Sequence, residues 1–141
     1  MKRYVLDQLF VACVGIVAVI VIPQLFELQV AIFLEVVVLL IYGYLCRRLI
    51  LLPYDILHGK KNMTVYYGSQ VCVENYEFFS KTHCVIWKFY FGCNEKIQLL
   101  VPDAVSKDGH IIKHPPDKNQ RVKITYYKQS RIMCKWEPLD N

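Results

Sequence analysis

"LQVAIFLEVVVLLIYGYLC" (residues 28–46) is apolar almost throughout, yet it carries one carboxylate, Glu35, near its middle. A helix needs roughly 20 apolar residues to cross the hydrocarbon core of a bilayer, and this run is close to that length. The stretch before it, "YVLDQLFVACVGIVAVIVIP" (4–23), is of the same kind, and only a few residues around Pro23–Glu27 separate the two. Neither run has the polar stripe that a soluble amphipathic helix turns to water, which argues against a buried two-helix core. The pattern predicts two spanning helices, 4–23 and 28–46, joined as an antiparallel hairpin. Lys2-Arg3 before an apolar stretch also fits a cleaved signal peptide. The stretch is too long for that and lacks a small-x-small cleavage site, so an uncleaved span is expected.

Charge then sets an orientation. Lys2 and Arg3 precede the first span, Arg47 and Arg48 follow the second, and His58, Lys60 and Lys61 come soon after, whereas the connector holds no Lys or Arg. The positive-inside rule therefore predicts an integral membrane protein with both termini in the cytoplasm. Cysteine usage agrees. Cys13 and Cys46 fall in the spans, Cys72, Cys84, Cys93 and Cys134 stand singly, and no C-x-x-C pair occurs, so reduced, buried thiols are expected rather than a disulfide framework.

The 141 residues divide into three parts: 1–52 as the transmembrane hairpin, 53–62 as a juxtamembrane connector, and 63–141 as a cytoplasmic domain. The connector belongs to "RRLILLPYDILHGKKN" (47–62), where Leu49, Ile50, Leu52, Ile56 and Leu57 alternate with basic residues. Such a stretch suits the headgroup layer, with Arg47, Arg48, Lys60 and Lys61 as lipid contacts. Pro53 is expected to end or kink any helix there. The competing reading simply extends the second span with its arginines snorkelling.

Beyond Met63 the apolar period becomes two, the signature of strands. Val85, Trp87, Phe89 and Phe91 share one face; "GCNE" (92–95) is turn chemistry; Ile97, Leu99 and Val101 return as a hairpin partner. Val122, Ile124 and Tyr126 point inward in the next strand, Ile132, Cys134 and Trp136 in the last, with "KQS" (128–130) as the turn between them. An earlier strand or bent pair spans Thr64–Glu74, with Gly68 as a bulge or turn. Five short strands in fewer than 90 residues predict a small, partly open five-stranded antiparallel β-barrel of the OB or SH3-like kind, giving an α+β membrane protein overall. This layout is similar to that of NfeD-like membrane proteins. The similarity is architectural, covers no motif, and carries over neither a function nor a residue.

Several groups of residues have both a functional and a plainer role open to them. Lys88, Lys96, Arg121, Lys123, Arg131 and Lys135 fall on the polar phase of their strands, with Tyr127 among them. A solvated face is the default; attraction to the anionic inner leaflet comes next, and a nucleic-acid groove with Tyr127 as stacking platform last. His110 and His114, near Asp108 and Asp117, lie in turn-rich sequence ending at Pro115-Pro116, so no metal site is expected. His83 and Cys84 are adjacent on a strand and so face opposite ways, which argues against a Cys–His pair. No phosphate-binding glycine loop, G-x-S-x-G or H-E-x-x-H is present, and neither an enzyme nor a cofactor is expected.

Glu35 is more informative. At 1.5 Å per residue it lies about 12 Å below the start of its span. Ala31, Val38, Tyr42, Cys46 and Leu49 fall within about 60° of it on a helical projection, and such a polar-leaning stripe of Glu35, Tyr42 and Cys46 should face protein. The first span offers Gln8, Ala12, Gly15 and Val19 on one face, suited to close packing but without a cation. Glu35 is therefore protonated, snorkels, or meets a group from another subunit.

Together these features lead to the expectation of a membrane-anchored, non-catalytic binding or scaffold module. It would be an accessory subunit of a membrane complex, with its partners the lipid bilayer and a protein, or a second copy, met through the helices. The alternatives are an oligomer lining a proton or ion path through Glu35, and a tethered nucleic-acid-binding barrel.

Overall fold

The computed structural model describes residues 2–72, 84–92, 95–106 and 108–139. Three helices precede five strands: α1 (Lys2–Leu25), α2 (Leu28–Leu45), α3 (Arg47–His58), β1 (Lys61–Cys72), β2 (Val85–Phe91), β3 (Glu95–Val101), β4 (Arg121–Tyr126) and β5 (Met133–Pro138). The expectations for Glu74, His83, Cys93 and Asn94 lie outside the described residues.

α1 and α2 are long and apolar enough to cross a membrane, through Tyr4–Leu25 and Leu28–Leu45. α1 runs past Pro23 to Leu25, so only Phe26 and Glu27 lie between the helices. Pro23 withholds the N–H that the Val19 carbonyl would accept, a loss near a helix end that the turn tolerates. The two helices touch closely where Gly15 meets Tyr42: a Cβ on Gly15 would sit 2.7 Å from the Tyr42 ring. Deeper toward the sheet, the Cys46 thiol lies 3.9 Å from the Gln8 carbonyl oxygen.

The expected connector is a helix in its own right. α3 begins at Arg47 after a break at Cys46, passes through Pro53, and ends at Gly59, whose φ of 81° an L side chain resists. Pro53 was expected to end or kink this helix. It does not end there: the helix continues to His58, and Leu52 and Asp55 on either side of the proline are buried, so packing against the sheet domain offsets the single helical hydrogen bond that proline removes.

The sheet runs β3-β2-β1-β4-β5, every neighbour antiparallel. Its core holds Val65, Tyr67, Val85, Trp87, Phe89, Ile97, Leu99, Val101, Val122, Ile124 and Tyr126, matching the period-two reading of β2, β3 and β4. Tyr67 meets Trp87 and Phe89 edge to face, with centroids 6.0 and 5.7 Å apart.

The sheet does not close into a barrel. Closure needs a ladder between the two edge strands, and β3 and β5 meet at one isolated parallel bridge, Leu100–Ile132, with the Leu100 N–H bonded to the Arg131 carbonyl at 2.8 Å. The inward phase expected for β5 is also corrected. Thr125 pairs with Lys135 but Tyr126 with Met133, so Cys134 is the extra residue of a bulge. Met133 is buried in its place, Cys134 is exposed, and Trp136 is half-buried against the core. Gly68 is the extra residue of a second bulge, in β1 between Tyr67 and Ser69. A Cβ there would lie 1.8 Å from the Tyr90 ring, so the missing side chain is what lets that ring rest on the sheet.

Candidate functional site at the helix–sheet junction

A second apolar cluster joins the helices to the sheet. Tyr4 of α1 and Leu52 of α3 pack with Cys84, Leu100, Tyr127 and Ile132, and Val5 and Ile86 flank them. The N-terminal end of α1 and the whole of α3 thus meet the sheet domain at the same end of the helical hairpin. The Tyr4 N–H donates to the Asp103 carboxylate at 3.3 Å, placing a negative charge at the positive end of the α1 dipole.

The polar centre of this junction is Asp55, only 2% exposed. It accepts the Gln129 N–H through both oxygens, at 3.0 and 3.1 Å, and the Ser130 N–H at 2.6 Å. Burial pushes its carboxyl upward, but those donated bonds, aided by nearby His58, outweigh burial and hold it below the ordinary aspartate value. Arg48, seven residues earlier on the same face of α3, donates to the Ser130 and Arg131 carbonyls, each at 3.3 Å. Burial lowers its ordinarily very high pKa. One turn of the sheet domain therefore has its amides held by an acid and its carbonyls by a base, both from one helix. The guanidinium of Arg48, read from sequence as a lipid contact, is directed to this turn, whereas Arg47 stacks on the Tyr44 ring at 4.4 Å.

The opposite face of α3 is uncovered: Ile50, Tyr54 and Leu57 are all exposed, Leu57 by 84%. Helical spacing puts the three on one side and Arg48, Leu52 and Asp55 on the other. α1 and α2 likewise leave large apolar side chains uncovered, among them Leu6, Phe10, Ile16, Phe33 and Leu40.

The other sequence-derived candidates fall as follows. The stripe of α2 does turn toward α1: Ala31 and Cys46 are buried, Glu35 and Tyr42 half-buried, while Gln8 and Gly15 are buried and Ala12 and Val19 half-buried on the facing helix. Counting the same two turns in opposite directions from the Gly15–Tyr42 contact sets Glu35 level with Ile22, nearer the connector than a Gly15–Val19 pairing would have it. Among the described residues, no hydrogen bond or ion pair reaches the Glu35 carboxylate.

On the sheet's outer surface, Lys96, Tyr90, Tyr66 and Arg121 are successive cross-strand neighbours, forming one row over four strands with both tyrosines exposed. Lys88 and Lys123 lie in flanking rows, Arg131 is exposed with φ 56°, and Lys135 pairs with Glu137 at 2.6 Å. Tyr127, expected outward as a stacking platform, is instead buried under Lys60, whose Nζ is 5.6 Å from the ring centroid. β4 ends one residue earlier, and the chain turns there. His110 and His114 are exposed in the loop before β4, and among the described residues no three His, Cys, Asp or Glu side chains gather as metal ligands.

Asp55 escaped the sequence reading altogether. Its signal was the lone acid in "PYDILH", a carboxylate at a buried-phase position of an otherwise basic segment. Comparison with known proteins brings no relative to this site: no family model, curated protein or solved structure matches the chain.

Proposed function

We infer that the protein is a membrane-anchored binding or scaffold module without catalytic chemistry, in which the helical hairpin spans the bilayer and presents the sheet domain at its cytoplasmic face. The observation that carries this is the junction. α3 fixes the sheet domain with Asp55 and Arg48 while leaving Ile50, Tyr54 and Leu57 bare, the arrangement of a helix lying in the headgroup layer. The strand order, with its single parallel touch between β3 and β5, supports reading the sheet as a partly open OB-type barrel.

An accessory subunit purifies from mild detergent with a second protein in fixed stoichiometry. A monodisperse, partner-free chain in every mild detergent that preserves the fold would overturn this reading.

A specific observation favours a second reading. A half-buried intramembrane carboxylate with no partner among the described residues suits contact with another copy. Glu35→Gln and Glu35→Leu should then shift the oligomer distribution in detergent while leaving the thermal unfolding midpoint in place. An unchanged distribution in both variants removes it. The Lys96–Tyr90–Tyr66–Arg121 row supports a third, single-stranded nucleic-acid binding by stacking. That reading requires retention on single strands that weakens steeply with salt and is lost in Tyr66→Ala/Tyr90→Ala.

A further inference from the structure

Where α3 ends, its last turn, the start of β1 and the β4–β5 turn enclose a basin of about 340 Å³. Lys60 and Lys61, adjacent at the start of β1, and Lys128 of the β4–β5 turn line it from two stretches of chain, with His58, Tyr54 and Gln129. Among the described residues none of these three ammonium groups has a carboxylate partner. The one acid on the wall, Asp55, already has both oxygens taken by the Gln129 and Ser130 amides. His58 stacks on Tyr54 with centroids 3.9 Å apart and holds its Nδ1 2.8 Å from the Tyr54 carbonyl, which fixes the ring at the rim with Nε2 turned away from that bond.

Three lysines and no unengaged acid around one basin make it a concentration of positive charge. Cations near a helix C-terminus gain a little from its dipole, but Lys128 belongs to another element. An anion in the basin is met by cations from both stretches of chain. We propose that this basin is a binding site for a phosphate group, held by Lys60, Lys61 and Lys128 with His58 at the rim. Tyr54 belongs both to this wall and to the bare apolar face of α3, so a phospholipid headgroup and a free phosphate or phosphoester are the two sources of the same chemistry. The site stands on its own geometry; the lipid source rests on the membrane reading above.

The test uses the full-length protein in phosphatidylcholine nanodiscs. In one arm a minority of phosphatidylglycerol is added, and native mass spectrometry reads which lipid the protein retains. In the other, inorganic phosphate is titrated into phosphatidylcholine-only discs and followed by phosphorus NMR. The combined variant Lys60→Gln/Lys61→Gln/Lys128→Gln is expected to lose about tenfold or more in whichever arm the parent binds, and the matching Lys→Arg variant is expected to restore it. Lys107→Gln/Lys113→Gln/Lys118→Gln removes the same charge from another stretch of chain and is expected to change binding less than about twofold. Retention of phosphatidylglycerol assigns the lipid source, and binding of inorganic phosphate alone assigns the free one. Equal losses in both glutamine variants, or no binding in either arm, overturn the site. A chain that fails to stay with the discs removes the membrane reading, and the inorganic-phosphate arm then decides the site by itself.

Discussion

At the scale of single residues, a buried carboxylate and two missing side chains set the geometry. Asp55 answers two backbone donors that would otherwise be buried without a partner. Removing it in Asp55→Ala should cost about 2–3 kcal/mol, read as a lower midpoint in detergent-phase unfolding. The sign of its pH dependence follows from its lowered pKa. The stabilisation is fully present above the ordinary aspartate value of 3.8 and is lost as pH falls through the depressed folded value. Asp55→Ala should therefore flatten the acid limb of the parent's stability curve; an unaltered limb would assign it to other groups. Gly68 acts through absence. Gly68→Ala puts a methyl 1.8 Å from the Tyr90 ring, an overpacking that should cost about 1–3 kcal/mol. Most of that cost should vanish when Tyr90→Ala is added, and a purely additive double variant would contradict the contact. Gly68 was legible as a bulge because glycine within a strand pattern asks for one. Asp55 was not, because a charge in a basic amphipathic segment reads as solvent-facing until the turn that caps it is known.

At the scale of elements, periodicity was a sound guide where one face was buried without interruption, as in β2, β3 and β4. It failed where an extra residue resets the phase. The bulge at Cys134 turns Met133 inward, and no local feature of "RIMCKW" announces it. The continuation of α3 past Pro53 was hidden for a related reason. Pro53 argues for a break, and only the tertiary contacts of Leu52 and Asp55 show why the helix continues. The outward face of this helix makes its own prediction. In Leu57→Trp, the added fluorescence over that of the parent should be blue-shifted and quenched by brominated lipid in vesicles. Emission at the wavelength of a solvated indole, with no quenching, would place α3 in water. Within the hairpin, Gly15→Leu should force α1 and α2 apart at Tyr42 and lower the unfolding midpoint; an unchanged midpoint would show that the helices do not pack there.

At the scale of the whole molecule, the apolar runs and the basic flanks announced the division into helical and sheet halves. How the halves are joined was hidden, because Tyr4–Asp103 and Asp55–Ser130 are contacts between residues remote in sequence. How far the sheet closes was hidden at the same scale: strand number and spacing say nothing about whether the edges meet, and β3 and β5 do so at a single bridge. With the start of α1 and all of α3 packed on the sheet domain, a spanning hairpin would bring the N-terminus and the sheet to one side of the bilayer. The most direct test is a specific protease site inserted at Gly109, in an exposed turn of the sheet domain with open space around it. Protection in intact cells with cleavage in inverted vesicles is the predicted result; cleavage in intact cells would contradict a sheet domain held at the cytoplasmic face.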